Sequence, residues 1–261
     1  MNSNKHIVLV HGACHGAWCW YRLVNHLRSS SAGSRVTALD LGGCGTDPRQ
    51  LDEVRSVSEY VQPLMDLLKS LPGDEKVVLV GHSYGGLPIA LAMERFPEKV
   101  SVAVFLSAYM PSCSSPPGLV IQEYFTRNSA SSFLDSKFDL DDGMQNPPTS
   151  AIFGPGYMTK KLYAGCPPED LELAKMLIRP TRLFTEEMMA YGLTEERYGS
   201  VKRVFVMCEE DEVIFVDFQR FMIQNSPPDE VKTMKGAHHM VMLSKPRELC
   251  RCLGEIAAKY R

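Results

Sequence analysis

The six residues GHSYGG at 81–86 constrain this chain more than any other segment. They hold Gly-x-Ser-x-Gly between an apolar run, VVLV at 77–80, and a helix-forming stretch, LPIALAMERF at 87–96. Strand, sharp turn and helix in that order lift a serine hydroxyl clear of a sheet. A serine in a flexible loop is a poor nucleophile. At such a turn its oxygen is fixed, and the N–H of the next residue faces the same space. The flanking glycines tolerate the strain and the close backbone approach. The bare spacing arises by chance in about one chain in ten of this size, so the flanks carry the specificity.

Short apolar runs alternate with helical patterns through the first 110 residues. IVLV at 7–10, RVTALD at 35–40, VVLV at 77–80 and VAVFL at 102–106 read as strands buried on both faces. Over 57–71, Val61, Leu64, Met65, Leu68 and Leu71 share one helix face, and Ser56 with Glu59 has capping-box spacing. Pro63 is expected to kink that helix. Alternation of this kind predicts an α/β fold, a mostly parallel sheet with helices on both faces.

The pattern breaks at residue 111. From PSCSSPPG onward the chain is rich in Pro, Ser and Asp, with little strand signal until about 203. So long a stretch is no simple loop. Leu171, Leu173, Met176 and Leu177 form a periodic pattern at 169–178, and a further helix is expected near 185–192. These features predict a core built from 1–111 and 201–261 with an inserted, mainly helical cap over 112–200. The core resumes with a strand at 203–208, a helix near 216–224, a strand at 231–234 and a helix at 246–260. Pro246 suits the first turn of that last helix, and Leu249, Leu253, Ile256 and Ala257 form its buried face.

A chain of 261 residues fits one large decorated domain or at most two small ones. With 44% hydrophobic and 23% charged residues it is neither disordered nor fibrous. A net charge of −3 supplies no basic patch, so neither nucleic acid nor an acidic membrane is expected as a partner. The N-terminal MNSNKHIVLVHG enters a strand too early for a secretory signal, and no apolar run approaches a membrane span. Eight cysteines without a Cys-x-x-Cys pair read as reduced core thiols, and the expected location is cytoplasmic.

In the α/β-hydrolase order of serine, acid, histidine, only His238 and His239 of the seven histidines follow Ser83. Both lie past the strand at 231–234. The acid should leave the end of the preceding strand, where CEEDEVI offers Glu209, Glu210, Asp211 and Glu212. A histidine takes the serine proton and later delivers it to the leaving alkoxide, while the acid fixes its tautomer. Periodicity does not choose within either group. The oxyanion hole needs two N–H donors. Tyr84 supplies one, and Ala13 in HGACHG at 11–16, after the first strand, is the expected second. A dinucleotide loop is excluded there, since Gly-x-Gly-x-x-Gly and its partner acid are missing.

IVLVHGACHGAWCW at 7–20, VVLVGHSYGG at 77–86, FLSAYMP at 105–111, FGPGYM at 153–158, GSVKRVFVMCEED at 199–211 and GAHHMVMLSKP at 236–246 together resemble the plant methylesterase and hydroxynitrile lyase family, the salicylic-acid-binding methylesterases in particular. The resemblance covers nearly the whole chain and implies the α/β-hydrolase fold. It also implies a Ser83–His239–Asp211 triad, with His238 standing where the family usually has an acid. The implied pocket comprises Gly12, Tyr84, Tyr109, Tyr124, Phe133, Phe153, Leu183 and Met240, apolar and aromatic under the cap. The expected partner is a small-molecule ester. No cofactor or metal is expected, and a homodimer stays open.

Three functions compete. The first is hydrolysis of small, methyl-type esters through an acyl-enzyme, with methyl salicylate, methyl jasmonate, methyl indole-acetate and alkaloid methyl esters as candidates. The second is cyanohydrin cleavage, for which related lyases carry Thr or Asn at the Gly12 position, and the S-selective ones Lys at the Met240 position. The third is a non-catalytic receptor, which usually goes with loss of a triad member. The residues present favour the ester hydrolase.

Overall fold

The computed structural model describes residues 5–29, 34–141, 143 and 145–260. The first four residues, part of the N-terminal reading above, and Arg261, the end of the expected core, lie outside the described residues. So do 142 and 144 within the expected cap.

The chain runs β1 (His6–Val10), α1 (Tyr21–Ser29), β2 (Arg35–Leu39), α2 (Val57–Ser70), β3 (Val77–Ser83), α3 (Gly86–Arg95) and β4 (Val100–Ala108). It continues through α4 (Gly118–Arg127), β5 (Lys137–Asp139), β6 (Ser150–Ile152), α5 (Pro155–Tyr157), α6 (Pro168–Leu177), β7 (Thr181–Arg182) and α7 (Thr185–Met189). It closes with β8 (Arg203–Cys208), α8 (Val216–Asn225), β9 (Glu230–Met234), α9 (Val241–Ser244) and α10 (Pro246–Lys259). The main sheet has the order β2-β1-β3-β4-β8-β9, and every neighbouring pair is parallel. Its inner strands β1, β3 and β4 are almost wholly buried, as their unbroken apolar runs require. On one face α1 packs against α10, and on the other α2 packs against α3. Ser56 caps α2 by accepting the Glu59 N–H at 3.1 Å, and the helix continues through Pro63. Among the described residues, no helix is long and apolar enough to cross a membrane.

Chain order and spatial order part company at β1. From there the chain steps to β2 on one side and then returns to place β3 on the other. The loops leaving the carboxyl ends of β1 and β3 therefore open a crevice between them, the usual location of a ligand site in such sheets.

The stretch between β4 and β8 differs from the expectation in two respects. Besides its helices it contains an antiparallel three-stranded sheet, β5-β6-β7. Segments of two or three residues with mixed polarity (KFD, SAI, TR) carry no period to read. In α6 the periodic residues turn only partly inward, with Leu171 packed against the core. Asp170 and Ala174 point inward, whereas Met176 is 74% exposed and Leu177 38%. The helix expected near 185–192 is limited to Thr185–Met189.

Candidate active site

Ser83 ends β3 with φ +55°, a left-handed backbone that a serine adopts only under constraint. The constraint comes from close contact with neighbouring backbone. A β-carbon on Gly85 would lie 2.5 Å from the carbonyl oxygen of His11, so only glycine lets the turn press against the end of β1. The Tyr109 N–H donates to the Ser83 carbonyl at 3.0 Å, fastening the turn to the end of β4.

Gly12 follows β1 and faces the serine directly. A β-carbon there would lie 2.8 Å from Ser83 Cβ and 3.3 Å from Ser83 Oγ. Next to it Ala13 begins a tight turn in which Cys14 has φ +63°. Among the described residues, neither the Ala13 N–H nor the Tyr84 N–H donates to a backbone carbonyl. His15 braces this turn. Its Nδ1–H donates to the Ala13 carbonyl at 2.8 Å, and its Nε2 accepts from the Tyr163 hydroxyl at 2.8 Å. Burial pushes its pKa down to about 4, so the ring is neutral.

Asp211 and His239 meet at the carboxyl end of the sheet. His239 Nδ1 donates to Asp211 Oδ2 at 2.7 Å, and both side chains are buried. Asp211 Oδ1 accepts the N–H groups of Val213 and Ile214, each at 2.8 Å. Glu209, Glu210 and Glu212 are exposed, which leaves Asp211 as the inward carboxylate of that acidic run. His238 turns the other way, with Nε2 3.3 Å from Glu210 Oε2.

The expected pocket residues form a chain of aromatic contacts. Tyr84 meets Tyr109 edge-on at 6.1 Å, Tyr109 meets Tyr124 at 5.4 Å, and Tyr124 meets Phe133 at 6.1 Å. Phe133 packs also on Phe125 and Phe138, which ties it to the site through Tyr124. Phe153 stacks on Tyr157 at 5.4 Å and reaches His15 at 6.3 Å. The Tyr84 hydroxyl donates to the Leu183 carbonyl, and the Tyr124 hydroxyl to the Val213 carbonyl at 3.1 Å. Those hydroxyls are committed to backbone, and both rings are packed within the hydrophobic core. Burial raises the pKa of both phenols. Met240 follows His239 and is 1% exposed.

The sequence reading missed several residues here. His82 Nε2 donates to the His239 carbonyl at 3.0 Å, and burial holds the His82 pKa well below its ordinary value. Ser107 donates to Asp211 Oδ2 at 2.5 Å. Tyr157 and Tyr163 join the aromatic wall and the His15 brace. The signal for Ser107 was present, a polar residue ending the apolar run VAVFL, but its partner lies 104 positions away.

Serine turn, unpaired N–H groups and an imidazole held by a carboxylate are the parts that acyl transfer requires. The model of the alpha/beta hydrolase family matches residues 7–251. Methylesterase 10 of Arabidopsis thaliana is 56% identical over 256 residues, covering 98% of this chain and 92% of its own. Methyl jasmonate esterase 1 of Vitis vinifera is 51% identical over 258 residues, with 98% of each chain covered. A crystal structure of polyneuridine aldehyde esterase, known from Rauvolfia serpentina, is 48% identical with a TM-score of 0.92, covering 98% of this chain and 100% of its own. The chain belongs to the α/β-hydrolase family and, within it, to the plant methylesterase branch.

Proposed function

We propose that the protein is a serine carboxylesterase acting on small methyl esters, with Ser83 as nucleophile, His239 as general base and acid, and Asp211 as the acid that orients His239. Ser83 Oγ attacks the ester carbonyl carbon while His239 takes its proton. The oxyanion that develops is met by the N–H groups of Ala13 and Tyr84. Return of the proton from His239 to the departing methoxide releases methanol and leaves an acyl group on Ser83. Water, deprotonated by the same imidazole, then frees the carboxylic acid. The observation that carries this reading is the 2.7 Å bond from His239 Nδ1 to a buried Asp211 carboxylate, which aims the opposite ring nitrogen away from the acid.

The aromatic wall from Tyr84 to Phe153 supports an apolar or aromatic acyl group, in keeping with plant hormone or alkaloid esters. Where that acyl group carries a β-carbonyl, the freed acid can lose carbon dioxide without further help. We place the protein in the cytoplasm, with no nucleic acid or membrane partner and no metal or cofactor in the reaction. The deciding experiment is hydrolysis of a panel of methyl esters by wild type and Ser83→Ala, with product masses recorded. Alongside it, a fluorophosphonate should label Ser83. Turnover undiminished in the alanine variant, or labelling elsewhere, defeats the assignment.

A further inference from the structure

We propose that Ser107 is a positioning residue for the Asp211–His239 pair: presented by a bulge in β4, its buried hydroxyl holds Asp211 Oδ2 and sets how strongly that oxygen draws on the imidazole. This rests on the reading of Asp211 and His239 as acid and base.

Three observations converge on Ser107. Its hydroxyl donates to Asp211 Oδ2 at 2.5 Å, the same oxygen that accepts from His239 Nδ1 at 2.7 Å. It sits where the β3–β4 register slips, since His82 pairs with Leu106 and Ser83 with Ala108, so Ser107 is the unpaired extra residue. Its backbone has φ +38°, a strained conformation for a non-glycine residue, and it is fully buried. A buried serine must find a partner. This one reaches out of its own strand to the loop after β8. The bulge lies beside the nucleophile, so one irregularity serves both the Ser83 turn and the grip on Asp211.

With Ser107 in place Asp211 has four donors: two N–H groups on Oδ1, and a hydroxyl and an imidazole N–H on Oδ2. That set fills the acceptor capacity of a carboxylate. It fixes the plane of the group and shares the charge of Oδ2 between two donors. Without the hydroxyl the whole pull of Oδ2 falls on His239, whose protonated form is then favoured, and the carboxylate is freer to tilt. The titratable groups packed around the pair are His82, His15, Tyr124, Tyr157 and Cys208. Burial pushes the two histidines down and the phenols and thiol up, so they hold their charge state through the neutral range.

The test compares wild type, Ser107→Ala and Ser107→Gly, the last because glycine accepts the positive φ if alanine impairs folding. Each is assayed on a small activated ester from about pH 5 to pH 9, with active sites counted by fluorophosphonate labelling. His239→Ala is run in parallel. We expect kcat per labelled site to fall about ten- to a hundredfold with KM changed less than about twofold. The acid limb of kcat/KM should move upward by about half a pH unit or more. A purely structural serine would lower the number of active sites and leave that limb in place. An unmoved or lowered limb, or kcat within about twofold of wild type, overturns the proposal. Full turnover in His239→Ala would instead remove the triad on which it stands.

Discussion

His238 and His239 are consecutive, yet their rings face opposite ways: His238 lies against Glu210 at 3.3 Å near the surface, and His239 is buried against Asp211 at 2.7 Å. The division follows from the turn after Gly236, whose φ of +59° brings the chain back toward the sheet, and from His82, which grips the His239 carbonyl. Under the proposed mechanism only one of these imidazoles then serves Ser83. His239→Ala should lower kcat/KM by about three orders of magnitude or more, whereas His238→Ala should stay within about threefold. Steady-state hydrolysis of a small activated ester separates the two. The reverse ranking would transfer the base to His238.

Gly12 is the next point at which geometry sets activity. A β-carbon at this position would be 2.8 Å from Ser83 Cβ, closer than a real contact allows, and the carbonyl oxygen of His82 at 3.2 Å blocks retreat. Gly12→Ala must therefore shift Ser83 or the loop carrying Ala13. The expected result is a loss of about tenfold or more in kcat per active site counted by fluorophosphonate labelling, because the clash falls on Ser83 itself. An alanine variant as active as wild type would show that the serine needs no such clearance.

His15 makes the fold sensitive to acid. Its imidazole is neutral when folded, with a pKa near 4 against an ordinary 6.5. Between those values the unfolded chain binds the extra proton, so stability falls as pH falls. The contribution is complete above pH 6.5 and is lost by about pH 4, amounting to about 3 kcal/mol. His6, His11 and His82 are displaced in the same direction, chiefly by burial. Urea midpoints should fall across this window, and less steeply for His15→Gln, which cannot titrate. Parallel slopes for the two proteins would contradict a neutral, buried His15.

Asp170 ties the segment between β4 and β8 to α1. Although 2% exposed, it accepts from the Tyr21 hydroxyl at 2.5 Å and from Arg22 Nε at 2.9 Å, joining α6 to α1. Asp170→Asn keeps the shape, removes the charge and leaves Arg22 with a weaker partner. A loss of about 1–3 kcal/mol in urea unfolding is expected, together with faster proteolysis within 168–180. Unchanged stability would mean that water replaces the carboxylate at no cost.

These residues also show where sequence reading stops. The strands β1, β3, β4 and β8 are legible because strands buried on both faces must be apolar throughout, and Ser83 is legible because glycines flank it. The choice of Asp211 over Glu209, Glu210 and Glu212 had to come from the family resemblance, since pattern alone treats the four acids alike. The strands β5, β6 and β7 hold their places by tertiary contact and carry no period. In α6 the period does not mark the buried face, because Asp170, a charged residue, is buried against Tyr21 and Arg22 while Met176 faces out. Ser107 escaped notice because a one-residue bulge depends on strand register, which the sequence of a single strand does not state.

Reaction type turns on what surrounds the charge that develops. Ester hydrolysis places it on a carbonyl oxygen, which the Ala13 and Tyr84 N–H groups can meet. Cyanohydrin cleavage places it on departing cyanide, which needs a cation or strong donor near residue 240. Met240 is buried to 1% exposure and offers a thioether, and Gly12 offers no hydroxyl. The protein should therefore hydrolyse a nitrophenyl acetate and leave mandelonitrile at its background rate. A single Met240→Lys change would place an ammonium in an apolar site, at a cost that favours the neutral amine, so it should depress esterase turnover without conferring efficient cleavage. A Gly12→Thr, Met240→Lys double variant adds the missing hydroxyl but also the clash with Ser83, so ester hydrolysis should collapse first and cyanohydrin cleavage should rise only modestly above background. Efficient mandelonitrile cleavage by the unmodified protein, followed as benzaldehyde release, would reverse the assignment from hydrolase to lyase.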